Sequence, residues 1–437
     1  MNWKVEETEG QKAAKRRQAE ESRDILPGER PDRIFETPLS FKDIKEKSDR
    51  YLATNIKRAP IAFYFGQGEY LYDTDNKRYL DFLSGVAVTA LGHGEADYVE
   101  AIREQADRVI HTSNLFYNQE LALLAEALVT YSFPGRVFVC NSGTEANEAA
   151  FKLARLHGQK KGNANAVVSL RNSFHGRTLA GMCMTGQEKI HKGFGPLLAD
   201  MRYIEPNDLD MLEKEIDQNG HEICALILEL VQGEGGVRPL DREYVRAARR
   251  LTEENDILLI LDEIQTGMGR TGKLFAYEHF GINPDAMTLA KGLGNGFPVG
   301  AMVVAEKFAD LMTPGTHGTT FGGNHLAARA AYETLKIIIT RDILQNVEAL
   351  SDYFFRRLRA FQVKTPAVKD VRGLGLHIGI EIDRPGAAFV DLCRERGLLV
   401  NCTNETTIRL VPPLNLSLES AAEGLDILEG AFGDFLK

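Results

Sequence analysis

Two ionisable residues stand at the ends of short apolar runs, and through them this chain could do covalent chemistry. Ile257, Leu258, Leu259, Ile260 and Leu261 lead into Asp262-Glu263; the run 286–290 leads into Lys291 and the turn Gly292-Leu293-Gly294-Asn295-Gly296. Unbroken apolar runs of this length predict strands buried on both faces. They would deliver a carboxylate and an amine to one sheet edge, the edge where open α/β proteins place ligands. A lysine desolvated there can form a Schiff base and then shuttle a proton. A carboxylate beside a pyridine-type nitrogen holds that nitrogen protonated by Coulomb attraction, so that the ring acts as an electron sink.

The elements that must position these residues follow from the hydrophobic pattern. Strands are expected at 136–141, 166–170, 225–230, 257–261, 286–290 and 299–305, with helices at 145–156, 208–218 and 242–254 between several of them. That alternation predicts a largely parallel sheet with helices on both faces. Ser142-Gly143-Thr144 lies between a strand and a helix, where Ser142 or Thr144 can cap and the free N–H groups suit a phosphate. Taken alone, the turn reads rather as an ordinary capped helix after a strand. Ahead of this region, 61–82 reads as hairpin strands, 96–109 and 120–130 as helices, and His93 as structural.

A Gly- and Thr-rich shift at 313–324 marks the end of the large region. Beyond it, 326–361 is strongly helical, and 368–382 with 398–411 reads as a small sheet closed by a helix from Leu418. The expected organisation is an extension and lead-in over 1–59, partly disordered or helical, a large domain over 60–325 and a smaller α+β domain over 326–437.

Bulk properties exclude several functions. A net charge of −10 over 437 residues argues against a nucleic-acid surface, and no apolar run is long enough to span a bilayer. The five cysteines are scattered, with the spacing of neither a disulfide framework nor a metal site, which fits a reducing, cytoplasmic setting. Residues 1–36 lack the apolar core of a secretory signal and are too acidic for a transit peptide. A competing motif is Gly267-Met268-Gly269-Arg270-Thr271-Gly272-Lys273, spaced like the phosphate loop of a nucleotide-dependent ATPase. Leu274 stands where a Mg²⁺-binding hydroxyl is required, so that reading is weak.

Six ordered motifs bear a more specific pattern: Asn141-Ser142-Gly143-Thr144-Glu145-Ala146-Asn147-Glu148-Ala149, Ser173-Phe174-His175-Gly176-Arg177-Thr178, Gln232-Gly233-Glu234-Gly235-Gly236, Asp262-Glu263-Ile264-Gln265-Thr266-Gly267, Ala290-Lys291-Gly292 and His317-Gly318-Thr319-Thr320-Phe321-Gly322-Gly323-Asn324. Together they resemble the class III pyridoxal-phosphate aminotransferases, from about residue 60 to the C-terminus. The resemblance implies a fold-type-I α/β architecture, a homodimer with shared active sites, and pyridoxal 5'-phosphate as cofactor.

The resemblance also implies roles for single residues. Lys291 would carry the cofactor, Asp262 would pair with its ring nitrogen, Gln265 with its phenolic oxygen, and Phe174 would stack on its ring. Ser142, Gly143 and Thr144 would hold the phosphate, joined by Thr320 from the neighbouring subunit. On the substrate side it implies Arg177, Glu234, Thr319 and Arg409, the last forking onto a carboxylate while Glu234 screens it when an ω-amine is presented. The implied reaction moves the terminal amine of N-acetylornithine to 2-oxoglutarate, as in arginine biosynthesis; ornithine, succinylornithine and 4-aminobutyrate are the alternative donors. Two departures from the family pattern, Leu230 after Glu229 and Gly94-Glu95-Ala96-Asp97, put loop geometry near the cofactor in question.

Overall fold

The structure is a computed structural model that describes residues 39–437; the expected extension over 1–36 lies outside the described residues. The chain divides into two compact units. One holds the described residues up to Gly66 together with Leu71–Arg78, and the other holds Gln67–Tyr70 and Tyr79–Lys437. The first carries the helix Phe41–Tyr51, which starts at a reciprocal capping box: Ser40 Oγ accepts from Asp43 N, and Asp43 Oδ2 accepts from Ser40 N, both at 3.2 Å.

The second unit is built on a seven-stranded sheet. Its strands are β1 (Gly135–Cys140), β2 (Ala166–Leu170), β3 (Met201–Ile204), β4 (Ile223–Leu228), β5 (Leu258–Asp262), β6 (Ala286–Leu289) and β7 (Gly300–Ala305), in the spatial order β1-β7-β6-β5-β4-β2-β3. All pairings are parallel except those of β7, which runs antiparallel to β6 and β1. Successive side chains point to opposite faces and both faces are covered, which explains why the run 257–261 is wholly apolar and why the one polar residue of 286–290, Thr288, is buried. Leu258 and Ile260 pack with Ala149 and Leu153 of the helix Gly143–Lys160, while Leu259 and Leu261 join the core containing Val245 and Ala248 of the helix Arg242–Glu254. All four strand residues are fully buried, each contributing about 1.5–3 kcal/mol.

A smaller antiparallel sheet is formed by Val368–Leu374, His377–Ile382, Thr407–Leu410 and Asn401–Thr403. The expected helical stretch 326–361 is broken. It forms His325–Thr340 and Ile343–Lys364, because Asp342 takes a left-handed backbone at φ 52°. The helix expected at 145–156 starts earlier, at Gly143, since Ser142 Oγ accepts from Glu145 N at 3.3 Å and caps it.

Gly424, inside the helix Leu418–Phe435, lies flat against a core ring: a Cβ there would sit 2.2 Å from Phe82 Cζ. Alanine has about 1 kcal/mol better helix propensity than glycine, but overpacking a core costs about 1–3 kcal/mol. Because Phe82 is fully buried, Gly424→Ala should lower the unfolding free energy by up to about 2 kcal/mol. A denaturant midpoint raised by the substitution would contradict this packing.

Candidate active site

The parallel register of β5 and β6 brings the two ends of the apolar runs together. Asp262 is the Cα partner of Thr288, and three residues further on Lys291 opens a single 3₁₀ turn with a left-handed backbone, φ 45°. A non-glycine residue in that conformation persists only where its surroundings fix it. Two side chains brace the turn that follows: Tyr98 Oη donates to Gly294 O at 2.6 Å, and Asn295 Oδ1 accepts from Leu91 N at 2.9 Å. Asp262 and Lys291 line one cavity of about 370 Å³.

Asp262 is 5% exposed and held by a polar network. Its Oδ2 accepts from Asn147 Nδ2 and lies 2.8 Å from His175 Nδ1; its Oδ1 accepts from Ile264 N at 3.1 Å. An ionised carboxylate is acceptor-only, so Nδ1 carries the proton there. Asn147 is oriented in turn by Thr288 Oγ1, which donates to Asn147 Oδ1 at 2.8 Å, and by donating to His175 O at 2.8 Å. Asn147, His175 and Thr288 received no role from the sequence, although the first two lie inside quoted motifs. An asparagine on an alanine-rich helix and a threonine in a strand carry no signal of their own.

Lys291 Nζ makes no hydrogen bond to the described residues. Burial and the Arg409 guanidinium pull its pKa below the ordinary lysine value, against the opposing pull of Glu234, Asp262 and Glu229. Glu229 is pushed up to about 7 by burial, and its two oxygens accept from Phe174 N at 2.8 Å and Gly233 N at 3.2 Å. It thereby ties the aromatic wall of the cavity to the turn carrying Glu234.

The remaining predicted residues divide into three groups. Ser142, Gly143, Thr144, Phe174, Arg177, Glu234 and Gln265 all line the cavity with Asp262 and Lys291, and the Arg177 guanidinium lies 5.5 Å over the Phe174 ring. Arg409 stands just behind the wall, 1% exposed, its NH1 donating to Glu234 Oε1 at 2.7 Å and Gln265 Oε1 at 3.3 Å. Burial pushes the Glu234 carboxyl up, but Arg409 outweighs it and holds the pKa below the usual carboxylate value. Thr319 and Thr320 do not line the cavity. Thr319 Oγ1 accepts from Asn141 Nδ2 at 3.2 Å and Gly322 N at 3.1 Å, and Thr320 is exposed.

The loop Gly267–Lys273 does not form a phosphate cradle. Gly269 N and Gly272 N donate to Leu274 O and Gly269 O at 3.0 Å, and Lys273 Nζ donates to Glu348. The two departures also leave the site intact: Leu230 is fully buried in the core, and Glu95 caps the helix Ala96–Arg108 by accepting from Tyr98 N at 2.7 Å. His93 Nε2 lies 2.9 Å from Asp81 Oδ2, outside the cavity.

The donor set fits a phosphorylated pyridine aldehyde. The N–H groups of Gly143 and Thr144 have no partner among the described residues and stand at the start of an 18-residue helix, a natural anion site. Asp262 offers a carboxylate oxygen, and the buried Gln265 Nε2 is a donor without a partner among the described residues. The Lys291 amine lines the same cavity.

Comparison with known proteins agrees. The aminotransferase class-III family model matches residues 51–432. Acetylornithine aminotransferase of Caldanaerobacter subterraneus subsp. tengcongensis is 46% identical over 388 residues, covering 88% of this chain and 98% of that one. That of Bacillus subtilis is 46% identical over 365 residues, 84% and 93% of the two chains. Among solved structures, ornithine aminotransferase from Toxoplasma gondii ME49 superposes with a TM-score of 0.87 at 30% identity, over 91% of this chain and 96% of that one. N-acetylornithine aminotransferase from Stenotrophomonas maltophilia K279a gives 0.77 at 36% identity, over 90% and 99%. A further T. gondii structure has pyridoxal phosphate at partial occupancy in its active site. A carboxylate, an amine and an anion cradle around one cavity, on a mostly parallel sheet and with these relatives, place the chain in the class-III aminotransferases, pyridoxal-phosphate enzymes of the fold-type-I α/β architecture.

Proposed function

We propose that the protein transfers the terminal amino group of N-acetylornithine to 2-oxoglutarate, giving N-acetylglutamate 5-semialdehyde and glutamate. The observation that carries this reading is the 2.7 Å contact between Glu234 and Arg409 at the cavity wall. A buried guanidinium that a partly exposed carboxylate can cover or uncover suits an enzyme that must accept first an ω-amine and then a dicarboxylate. An adjoining cavity of about 460 Å³, which shares Phe174, Arg177 and Glu234 and adds Lys189, Asn404 and Glu405, gives room for the acylated α-end of such a donor, with the Arg177 and Lys189 cations available to its carboxylate.

When bound, the cofactor supplies an aldehyde on an electron-withdrawing ring. Gly143 and Thr144 would hold the phosphate with Ser142 as cap, Phe174 would cover the ring, Gln265 would donate to its phenolic oxygen, and Asp262 would keep its nitrogen protonated. Lys291 would tether the aldehyde and, when free, would move a proton at the carbon bearing the donor's amine, as general base and acid. Arg177 takes the donor's α-end, and Arg409, once Glu234 moves aside, takes a carboxylate of 2-oxoglutarate. Thr320, outside its own chain's cavity, serves the cavity of a second copy with Thr319 beside it, which makes the working unit a homodimer.

We assign the large domain to 60–325 and the small one to 326–437. Among the described residues no helix is long and apolar enough to cross a membrane, and Cys140, Cys183, Cys224, Cys393 and Cys402 are free thiols. A cytoplasmic setting is consistent with these.

The higher TM-score to an ornithine aminotransferase favours free ornithine as the second reading. Steady-state kinetics with 2-oxoglutarate and a panel of ω-amines decides between them. N-acetylornithine should exceed ornithine, succinylornithine and 4-aminobutyrate in kcat/KM, over ornithine by at least about 10-fold. Equal or reversed preference would overturn the donor assignment.

A further inference from the structure

Glu234 sits in the turn 233–237 that joins the short paired strands Val231–Gln232 and Arg238–Pro239. Its carboxylate is bonded to Arg409, so the reach of that carboxylate is set by the backbone of the turn. That backbone is unusual. Val237, β-branched and fully buried, has a left-handed φ of 52°, a conformation that a β-branched residue keeps only when held in place.

One side chain does most of the holding. Arg372 Nε donates to Gly236 O at 3.0 Å and Val237 O at 3.1 Å, while its NH2 donates to Gly236 O and Glu381 Oε2, both at 2.6 Å. Arg372 NH2 also donates to Thr407 Oγ1 at 3.2 Å, and that hydroxyl donates to Glu381 Oε2 at 2.8 Å. From the other side Thr403 Oγ1 donates to Glu234 O at 2.7 Å. Thr407 and Arg409 belong to the same strand, Thr407–Leu410, so the clamp on the turn and the guanidinium that Glu234 covers share one rigid element.

We propose that Arg372 is a positioning residue for substrate alternation: by fixing the Glu234 turn to the strand that carries Arg409, it sets how firmly the carboxylate covers the guanidinium. It thereby sets the balance between the ω-amine donor and the dicarboxylate acceptor. This rests on the Glu234–Arg409 reading given above. Loosening the turn weakens the cover, which penalises the donor half-reaction and spares the acceptor half-reaction.

The test is single-turnover kinetics of the two half-reactions on the cofactor-loaded enzyme, followed by cofactor absorbance, with N-acetylornithine and with 2-oxoglutarate. Glu234→Ala, Arg372→Met and the double variant are compared with the parent. Glu234→Ala should reduce donor efficiency by about 10-fold or more, and Arg372→Met by about 5- to 10-fold, with the acceptor half-reaction changed by less than about 3-fold in either. The double variant should be no worse than Glu234→Ala alone, because both act through one contact. Equal losses in both half-reactions, or losses that multiply in the double variant, would overturn the proposal. A donor-to-acceptor ratio unmoved by Glu234→Ala removes the underlying reading and the proposal with it; a ratio moved by Glu234→Ala but not by Arg372→Met removes the proposal alone. Should Arg372→Met fail to fold, Thr403→Val must shift the ratio in the same direction, and an unchanged ratio there is equally fatal.

Discussion

Lys291→Ala is expected to fold as the parent does and to lose transamination by on the order of 10⁴-fold or more, the combined loss of nucleophile and proton carrier. The two outcomes separate because of how the lysine is held. Burial and the Arg409 guanidinium depress its folded pKa, so the folded state binds that proton less tightly than the unfolded chain does. For a base with a depressed folded pKa the penalty on stability applies below the ordinary lysine pKa, and therefore throughout the neutral range. Alanine removes this penalty, and the left-handed backbone at 291 is braced from the neighbouring turn by Tyr98 and Asn295. Thermal melting should give a Tm no lower than the parent's while turnover with any amine disappears. A variant with substantial turnover would refute the role given to Lys291.

The next largest effect is expected at Asp262. Asp262→Ala leaves Asn147 Nδ2 and His175 Nδ1 facing a void in a buried region, at a cost of about 1–3 kcal/mol for each unpaired group. It also removes the charge proposed to keep the ring nitrogen protonated, and kcat should fall by about 10²–10⁴-fold. Asp262→Asn separates the two contributions. It preserves shape and most packing but supplies no negative charge, so it should lose less stability than Asp262→Ala while losing nearly as much kcat. Denaturant unfolding alongside single-turnover rates checks both. An asparagine variant with parental rates would show that the carboxylate charge has no part in the chemistry.

Why the core of this site was legible in the sequence, and its surroundings were not, follows from the physics of each residue. Asp262 and Lys291 end short apolar runs of strand length, so their polarity stands out and the parallel sheet brings them together. The capped helix start beside the cavity was legible because a cap, two small residues and a long helix have one geometry. Asn147, His175 and Thr288 were not, since their value comes from bonds between elements far apart in the chain. Arg372 looked like any charged residue on a small sheet; only the folded turn at Val237 reveals what it holds. The break between the helices His325–Thr340 and Ile343–Lys364 was likewise hidden, for no glycine or proline marks it. Thr319 and Thr320 lie off the cavity of their own chain, so the roles their motif implies depend on a second copy.

The most direct measurement is chemical trapping. The cofactor-loaded protein is reduced with borohydride and digested, and the lysine that bears the cofactor is located by mass spectrometry. The cofactor should be found on the peptide containing Lys291, and prior treatment with the amine donor should abolish that label. A label on any other lysine, or a cofactor released entirely free after reduction, would contradict the assignment of Lys291 and Asp262 as the two poles of the site.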